Sequence, residues 1–238
     1  MLTLREREQS RQILIVDDEE ETAEAISRLL ETAGFTTATV DAGLAALKEL
    51  QESPPDLVLL NATLPDMDGV ALMRQVRERS TTPIIAVNAD PNDKEARIRA
   101  LEAGADDILV RHAPPEELVA RIGAILRRVE WSPASEPRLE VRQLSLDTSR
   151  RMAFLHDRKL QLTPIEYSIL ITLMRSAGHV VSHDDLLKAV WRTGKANDYS
   201  VLRVNISRLR QKLEDNPRRP GYIVTVPGRG YVMPAGRP

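Results

Sequence analysis

The chain has 238 residues and is 42% hydrophobic, enough for one large core or two ordinary ones, and no apolar run approaches the ~20 residues that span a bilayer. It contains no cysteine, which excludes disulfides and thiolate metal sites, and its charged start (Arg5, Glu6, Arg7, Glu8) is unlike a secretion signal; both features fit a cytoplasmic protein without a membrane partner. The net charge of −2 conceals an asymmetry: residues 1–137 hold 15 of the 33 Lys and Arg and 26 of the 35 Asp and Glu, a balance of −11, which leaves +9 for the remainder. The asymmetry suggests that only the second half meets a polyanion, with two solvated surfaces of opposite sign as the other open reading.

In chain order, the first half alternates short apolar runs with helical patterns. Strands are predicted at Ile13–Val16, Thr36–Val40, Leu57–Leu60, Ile84–Val87 and Ile108–Val110. Helices are predicted over Glu20–Ala33, after Asp41 as N-cap, and over Asp68–Arg79, Asn92–Ala103 and Pro115–Val129. Strands separated by helices imply a parallel five-stranded sheet covered on both faces, a doubly wound α/β domain over residues 11–129. Polar sites in such sheets gather at the carboxyl ends of the strands.

Residues 130–137, Glu-Trp-Ser-Pro-Ala-Ser-Glu-Pro, read as a linker. Residues 138–238 form a second, α+β domain. Short β segments fill 138–162. Thr163-Pro164-Ile165-Glu166 then has the pattern of a capping box with Pro at N1, and Ser182 caps a second helix. A third helix is predicted from about Asp198 to Leu213, and a hairpin of Ile223–Val226 and Tyr231–Met233 follows.

On that third helix, at 100° per residue, Leu202, Ile206, Leu209 and Leu213 form one narrow stripe. The opposite face holds Ser200, Val204, Ser207, Arg208 and Gln211, flanked by Arg203 and Arg210 on one side and by Asn205 and Lys212 on the other. No acid lies between Tyr199 and Leu213. An ordinary solvated helix mixes charge signs along its exposed face, so the one-signed run favours a duplex DNA partner. In a major groove Arg pairs with guanine, Asn with adenine, and Val touches a thymine methyl.

The segments Leu162-Thr163-Pro164-Ile165-Glu166-Tyr167, Val181-Ser182, Leu186-Leu187, Val190-Trp191, Val204 to Leu213 and Thr225-Val226-Pro227-Gly228-Arg229-Gly230-Tyr231 resemble the winged-helix domain of OmpR/PhoB-type response regulators. The first half resembles that family's flavodoxin-like receiver. The resemblance covers about residues 11–129 and 138–234. It implies a transcription regulator of a two-component system that is not an enzyme. The third helix would read the major groove, with Ser200, Arg203, Val204, Asn205, Ser207, Arg208, Arg210 and Lys212 as candidate contacts, and Arg229 would sit on the wing. The segment Trp191–Asn197 corresponds to a loop that can contact RNA polymerase. Arg203 stands where the family often has an acid and Ser200 where Arg or Asn is common, so a target sequence does not transfer.

In such receivers an aspartate ending the third strand accepts a phosphoryl group beside Mg²⁺, a hydroxyl and a lysine. Here the acid pair Asp17 and Asp18 is kept, but the nucleophile position is Asn61, the hydroxyl position Asn88, the lysine position Arg111 (followed by His112) and the aromatic switch position Ile108. A carboxamide cannot form an acyl phosphate. The resemblance therefore implies an atypical receiver that works without aspartyl phosphorylation. Two acids without a third carboxylate make at most a weak Mg²⁺ site, and no cofactor is expected. A fixed Asn61–Arg111 contact that mimics part of the active arrangement and a merely vestigial pocket are both open readings.

Dimers of this family pair through the fourth helix, fifth strand and fifth helix, where this chain has Arg97, Asp106, Asp107, Glu117 and Arg121. Pairing of Arg97 with Glu117 and of Asp107 with Arg121 across a two-fold axis would give a homodimer; intramolecular surface pairing on adjacent helices is the other open reading. Gly123 replaces a common basic residue there. Two other readings stay open: phosphorylation on another acid such as Asp17 or Asp66, and an inert receiver that heterodimerises and withholds a partner from DNA.

Overall fold

The computed structural model describes residues 11–88, 93–110, 113–130, 138–191 and 199–236, the side chains of Asn88 and of 127–130 excepted. The chain splits into two compact units, Met1–Leu126 and Arg127–Pro238.

The first unit runs β1 (Gln12–Val16), α1 (Glu20–Thr32), β2 (Thr36–Val40), α2 (Gly43–Glu52), β3 (Leu57–Asn61), α3 (Gly69–Arg79), β4 (Ile84–Asn88), α4 (Lys94–Ala103), β5 (Asp107–Val110) and α5 (Pro115–Glu130). The five strands are all parallel, in the order β2-β1-β3-β4-β5, the flavodoxin-like doubly wound arrangement. Apolar residues run almost unbroken along β1 and β3 because both sheet faces are covered. Ile13, Ile15, Leu57, Leu59, Ile85, Val87 and Leu109 meet Leu30 of α1 and Leu118, Ile122 and Ile125 of α5. The alternate residues, such as Leu14, Val58 and Leu60, are equally buried on the other face.

One helix start differs from its expected form. Helix α2 begins at Gly43 with Ala42 as N-cap, and the cap residue supplies no side-chain hydrogen bond, so Asp41 is not the cap. The cap comes from the loop after β3, where Asp66 accepts hydrogen bonds from the Gly43 and Leu44 amides at 2.8 and 2.9 Å. These bonds, that of Leu44 foremost, hold the Asp66 carboxyl below its ordinary pKa.

The second unit opens with an antiparallel sheet of β6 (Arg138–Val141), β7 (Leu144–Asp147), β8 (Met152–Leu155) and β9 (Arg158–Leu160) in sequential order. Helices α6 (Pro164–Arg175), α7 (His183–Trp191) and α8 (Tyr199–Leu213) follow, with β10 (Val180–Ser182) before α7. The hairpin β11 (Val224–Val226) and β12 (Gly230–Val232) pairs with β10 in the order β10-β12-β11. The capping box is formed in full: the Glu166 amide donates to Thr163 Oγ1, and the Thr163 amide donates to Glu166. Ser182 Oγ likewise accepts from the Asp185 amide. Gly230, at φ +155°, lets β12 lie against β10; a Cβ there would sit 2.0 Å from the Val181 carbonyl oxygen.

Candidate functional site

The first site lies at the carboxyl ends of β1 and β3. Asp17 and Asn61 are buried there, while Asp18 is exposed. Asn61 Nδ2 donates to Asp17 Oδ1 at 3.2 Å and to Asp18 Oδ1 at 3.0 Å, and Asn61 Oδ1 accepts from the Thr63 amide at 3.3 Å. Asp17 Oδ1 also accepts from the Glu19 amide. The carboxamide thus directs its positive end at the two acids, where the family would hold a cation, and its oxygen at the backbone. Among the described residues no group of three His, Cys, Asp or Glu could hold a metal ion. An N–H donor between two carboxylates does not fit a hard divalent cation, which needs oxygen ligands. Arg111 lies outside the described residues, as does the side chain of Asn88.

The charges assigned to a dimer face are largely used inside the protomer. Asp106, wholly buried, accepts from Arg77 Nη2 at 2.6 Å and from the Ile84 amide at 2.9 Å. Arg77 also donates to the carbonyls of Gly104 and Thr82. Asp107 accepts from Arg121 Nη1 at 2.7 Å, and Arg121 further pairs with Glu117 on its own helix. Burial alone would lower the Arg121 pKa, but the charges of Asp107 and Glu117 outweigh it and raise the value. Pairing of Asp107 with Arg121 across an axis is therefore corrected to an intramolecular pair. Asp107 opens β5 and Arg121 lies on α5, and the packing of that helix brings the two side chains together within one unit.

The second site is helix α8. Leu202, Ile206, Leu209 and Leu213 are buried as the periodicity requires, and α6 and α7 pack against the helix. Val201 and Asn205 are buried too, so the inward arc is wider than the leucine stripe. Asn205, wholly buried, donates from Nδ2 to the Val201 carbonyl and cannot reach a base; that candidate is withdrawn. Lys212 donates to Glu166 Oε2 at 2.6 Å and to the Gln161 carbonyl, which ties the end of α8 to the capping box of α6. Arg210 donates to the Ile223 carbonyl and to Thr225 Oγ1. Sequence reasoning missed these acceptors because they lie on elements distant along the chain. Ser200, Arg203, Val204 and Ser207 remain on the outer side, Arg203 and Ser207 exposed and the other two partly so, whereas Arg208 is half-buried with its Nη2 out of solvent. Arg229 is exposed at the β11–β12 turn. Trp191 is buried, and residues 192–197 of the segment assigned to RNA polymerase lie outside the described residues.

Comparison with known proteins assigns both units to known families. Residues 13–123 match the family described as response regulator receiver domain, and residues 157–233 match transcriptional regulatory protein, C terminal. The chain is 36% identical over 233 residues to the alkaline phosphatase synthesis transcriptional regulatory protein PhoP of Bacillus subtilis, covering 94% of this chain and 97% of PhoP. It is 36% identical over 231 residues to the DNA-binding response regulator MtrA of Mycobacterium tuberculosis, covering 97% and 98% of the two chains. Among solved structures, a point mutant of RitR aligns with a TM-score of 0.76 at 28% identity, over 95% of this chain and 100% of that one. DrrB of Thermotoga maritima, an OmpR/PhoB homologue, aligns at 30% identity with a TM-score of 0.51, over 94% of this chain and 99% of DrrB. A parallel-sheet receiver followed by a winged-helix unit, matched over nearly its whole length, belongs to the OmpR/PhoB-type response regulators.

Proposed function

We propose that the chain is a sequence-specific DNA-binding transcription regulator that acts as a dimer without aspartyl phosphorylation. The observation that carries the DNA reading is the outer face of α8, where Arg203 and Ser207 are exposed beside the half-buried Val204 with no acid among them. Arg203, Val204 and Ser207 are the base-reading candidates; Ser200 and the wing's Arg229 suit the phosphate backbone. MtrA, which is named a DNA-binding response regulator, supports the same reading.

Phosphorylation independence rests on Asn61, whose amide cannot be phosphorylated as a carboxylate is and already satisfies both neighbouring acids. Asp66 is a poor substitute acceptor, because its two oxygens cap α2. Dimerisation rests on the family's fourth-helix, fifth-strand and fifth-helix face. With Asp106, Asp107, Glu117 and Arg121 engaged internally, its affinity would come from the exposed apolar Ile98 and Val110.

The test is fluorescence anisotropy of full-length protein on random and selected duplexes across a salt series. Steep loss of affinity with salt, with a duplex preference surviving at moderate ionic strength, is the expected result. Equal affinity for duplex and a heparin-like polyanion would overturn the reading. So would the alternative outcome in which the protein binds a second regulator but no duplex.

A further inference from the structure

Residue Ile223, just before the wing strand β11, is gripped at both of its backbone groups by one turn of helix. Its carbonyl accepts from Arg210 Nε at 2.9 Å and from Arg210 Nη2 at 2.7 Å. Its amide donates to Glu214 Oε1 at 2.9 Å. Glu214 lies four residues after Arg210, one position beyond the end of α8, so the two side chains leave the same helix face. Glu214 also accepts from the Gly221 amide at 2.8 Å and the Tyr222 amide at 2.8 Å, and Arg210 reaches forward to Thr225 Oγ1 at 2.7 Å. The Arg210 guanidinium carbon stands 5.9 Å from the centre of the Tyr231 ring on β12. The cation and the anion together hold backbone groups of residues 221–223 and the Thr225 hydroxyl, and the guanidinium also faces the Tyr231 ring, so it reaches both strands of the hairpin.

We infer that Arg210 and Glu214 are positioning residues that lock the wing to the recognition helix, so that Arg229 and Arg203 meet DNA as one rigid reading head. This deepens the DNA-binding reading and rests on it. Strand β12 is held by β10, but β11 is the outer strand of the order β10-β12-β11, three residues long and paired with β12 alone in that sheet, so its direction is weakly fixed by the ladder. Bonds to ionised groups are stronger than neutral ones, and a planar guanidinium fork fixes direction as well as distance. Arg210 was a candidate for direct contact with DNA, but its Nε and Nη2 hydrogens are already committed to Ile223 and Thr225. Glu214 gives the sharper test. An acid near a phosphate backbone opposes binding, so simple electrostatics predicts that neutralising it tightens DNA binding. A clamp predicts the reverse.

The experiment measures duplex affinity and its salt slope for the full-length wild type, Glu214→Gln, Arg210→Lys, Arg229→Ala, and each clamp variant combined with Arg229→Ala. Both clamp variants are expected to bind roughly tenfold more weakly, the size of one lost charge-assisted bond. Arg210→Lys keeps the charge, so its loss would report geometry. Adding Arg229→Ala to either clamp variant should cost almost nothing further, because the wing is already displaced. Unchanged or tighter binding by Glu214→Gln overturns the clamp, and so does full additivity with Arg229→Ala. If Glu214→Gln fails to fold, the Arg210→Lys pair of measurements decides alone. Failure of the wild type to prefer duplex would instead overturn the DNA reading itself.

Discussion

The two units use their inward-turned cations alike and differ at the outer face of α8 and the hairpin beside it. In the receiver, Arg77 and Arg121 turn inward, and each neutralises a buried aspartate of the fifth-strand region. In the winged-helix unit, Arg210 and Lys212 also turn inward, but Arg203 and Arg229 are left facing solvent. Residue type does not separate the two sets, since an arginine occurs in each. What separates them is whether an acceptor stands within reach inside the fold. A cation is available to a ligand only where the tertiary structure offers it nothing better.

That contrast is most open to attack at the buried pair. Asp107→Ala would leave Arg121 buried with only Glu117 opposite it. Urea denaturation should show a loss of about 3–5 kcal/mol, whereas Arg203→Ala on the outer face should change stability by less than about 0.5 kcal/mol. Similar losses from both variants would erase the distinction. An intermediate effect is expected at the acid pocket. Asn61→Asp replaces the amide donors with a third carboxylate, so without metal the variant should melt below wild type, and millimolar Mg²⁺ should raise its midpoint. The wild-type midpoint should not move with Mg²⁺, and the wild type should take up no phosphoryl group from a small acyl-phosphate donor. The smallest effect belongs to Asp66. Its folded-state pKa lies below the ordinary 3.8, so its contribution is fully present above that value and is lost as pH falls through the folded pKa. Asp66→Asn should lower the midpoint at neutral pH and match wild type in strong acid; a gap that persists there would mean the carboxylate's charge is not the cause.

The sheet is legible in the sequence because burial on both faces leaves continuous apolar runs such as Ile13–Val16, and the family motifs sharpen its edges. The leucine stripe of α8 is legible for the same kind of reason. Less legible is the width of that stripe. Helix α8 packs on two helices at once, so its buried arc spans roughly 140° and takes in Val201 and Asn205, beyond what four leucines mark out. Asp41 has the local position of a cap, whereas the carboxylate that does the capping, Asp66, lies in a different loop, the one after β3. Asp107 and Arg121 are complementary in sequence, but spacing along a chain cannot tell a pair made within one copy from a pair made between two. The polar partners of Lys212 and Arg210 are hidden because each lies on another element, where no periodicity points to it.

The order β10-β12-β11 has a consequence for synthesis. The middle strand of that sheet is the last of the three to leave the ribosome, and until residues 230–232 have emerged its two neighbours have no edge to join. At ordinary elongation rates of about 5–20 residues per second, α8 is complete for roughly a second or more before its wing can be assembled. A nascent chain in that interval carries the cationic helix without the hairpin beside it, so helix and hairpin become one surface only after β12 has emerged.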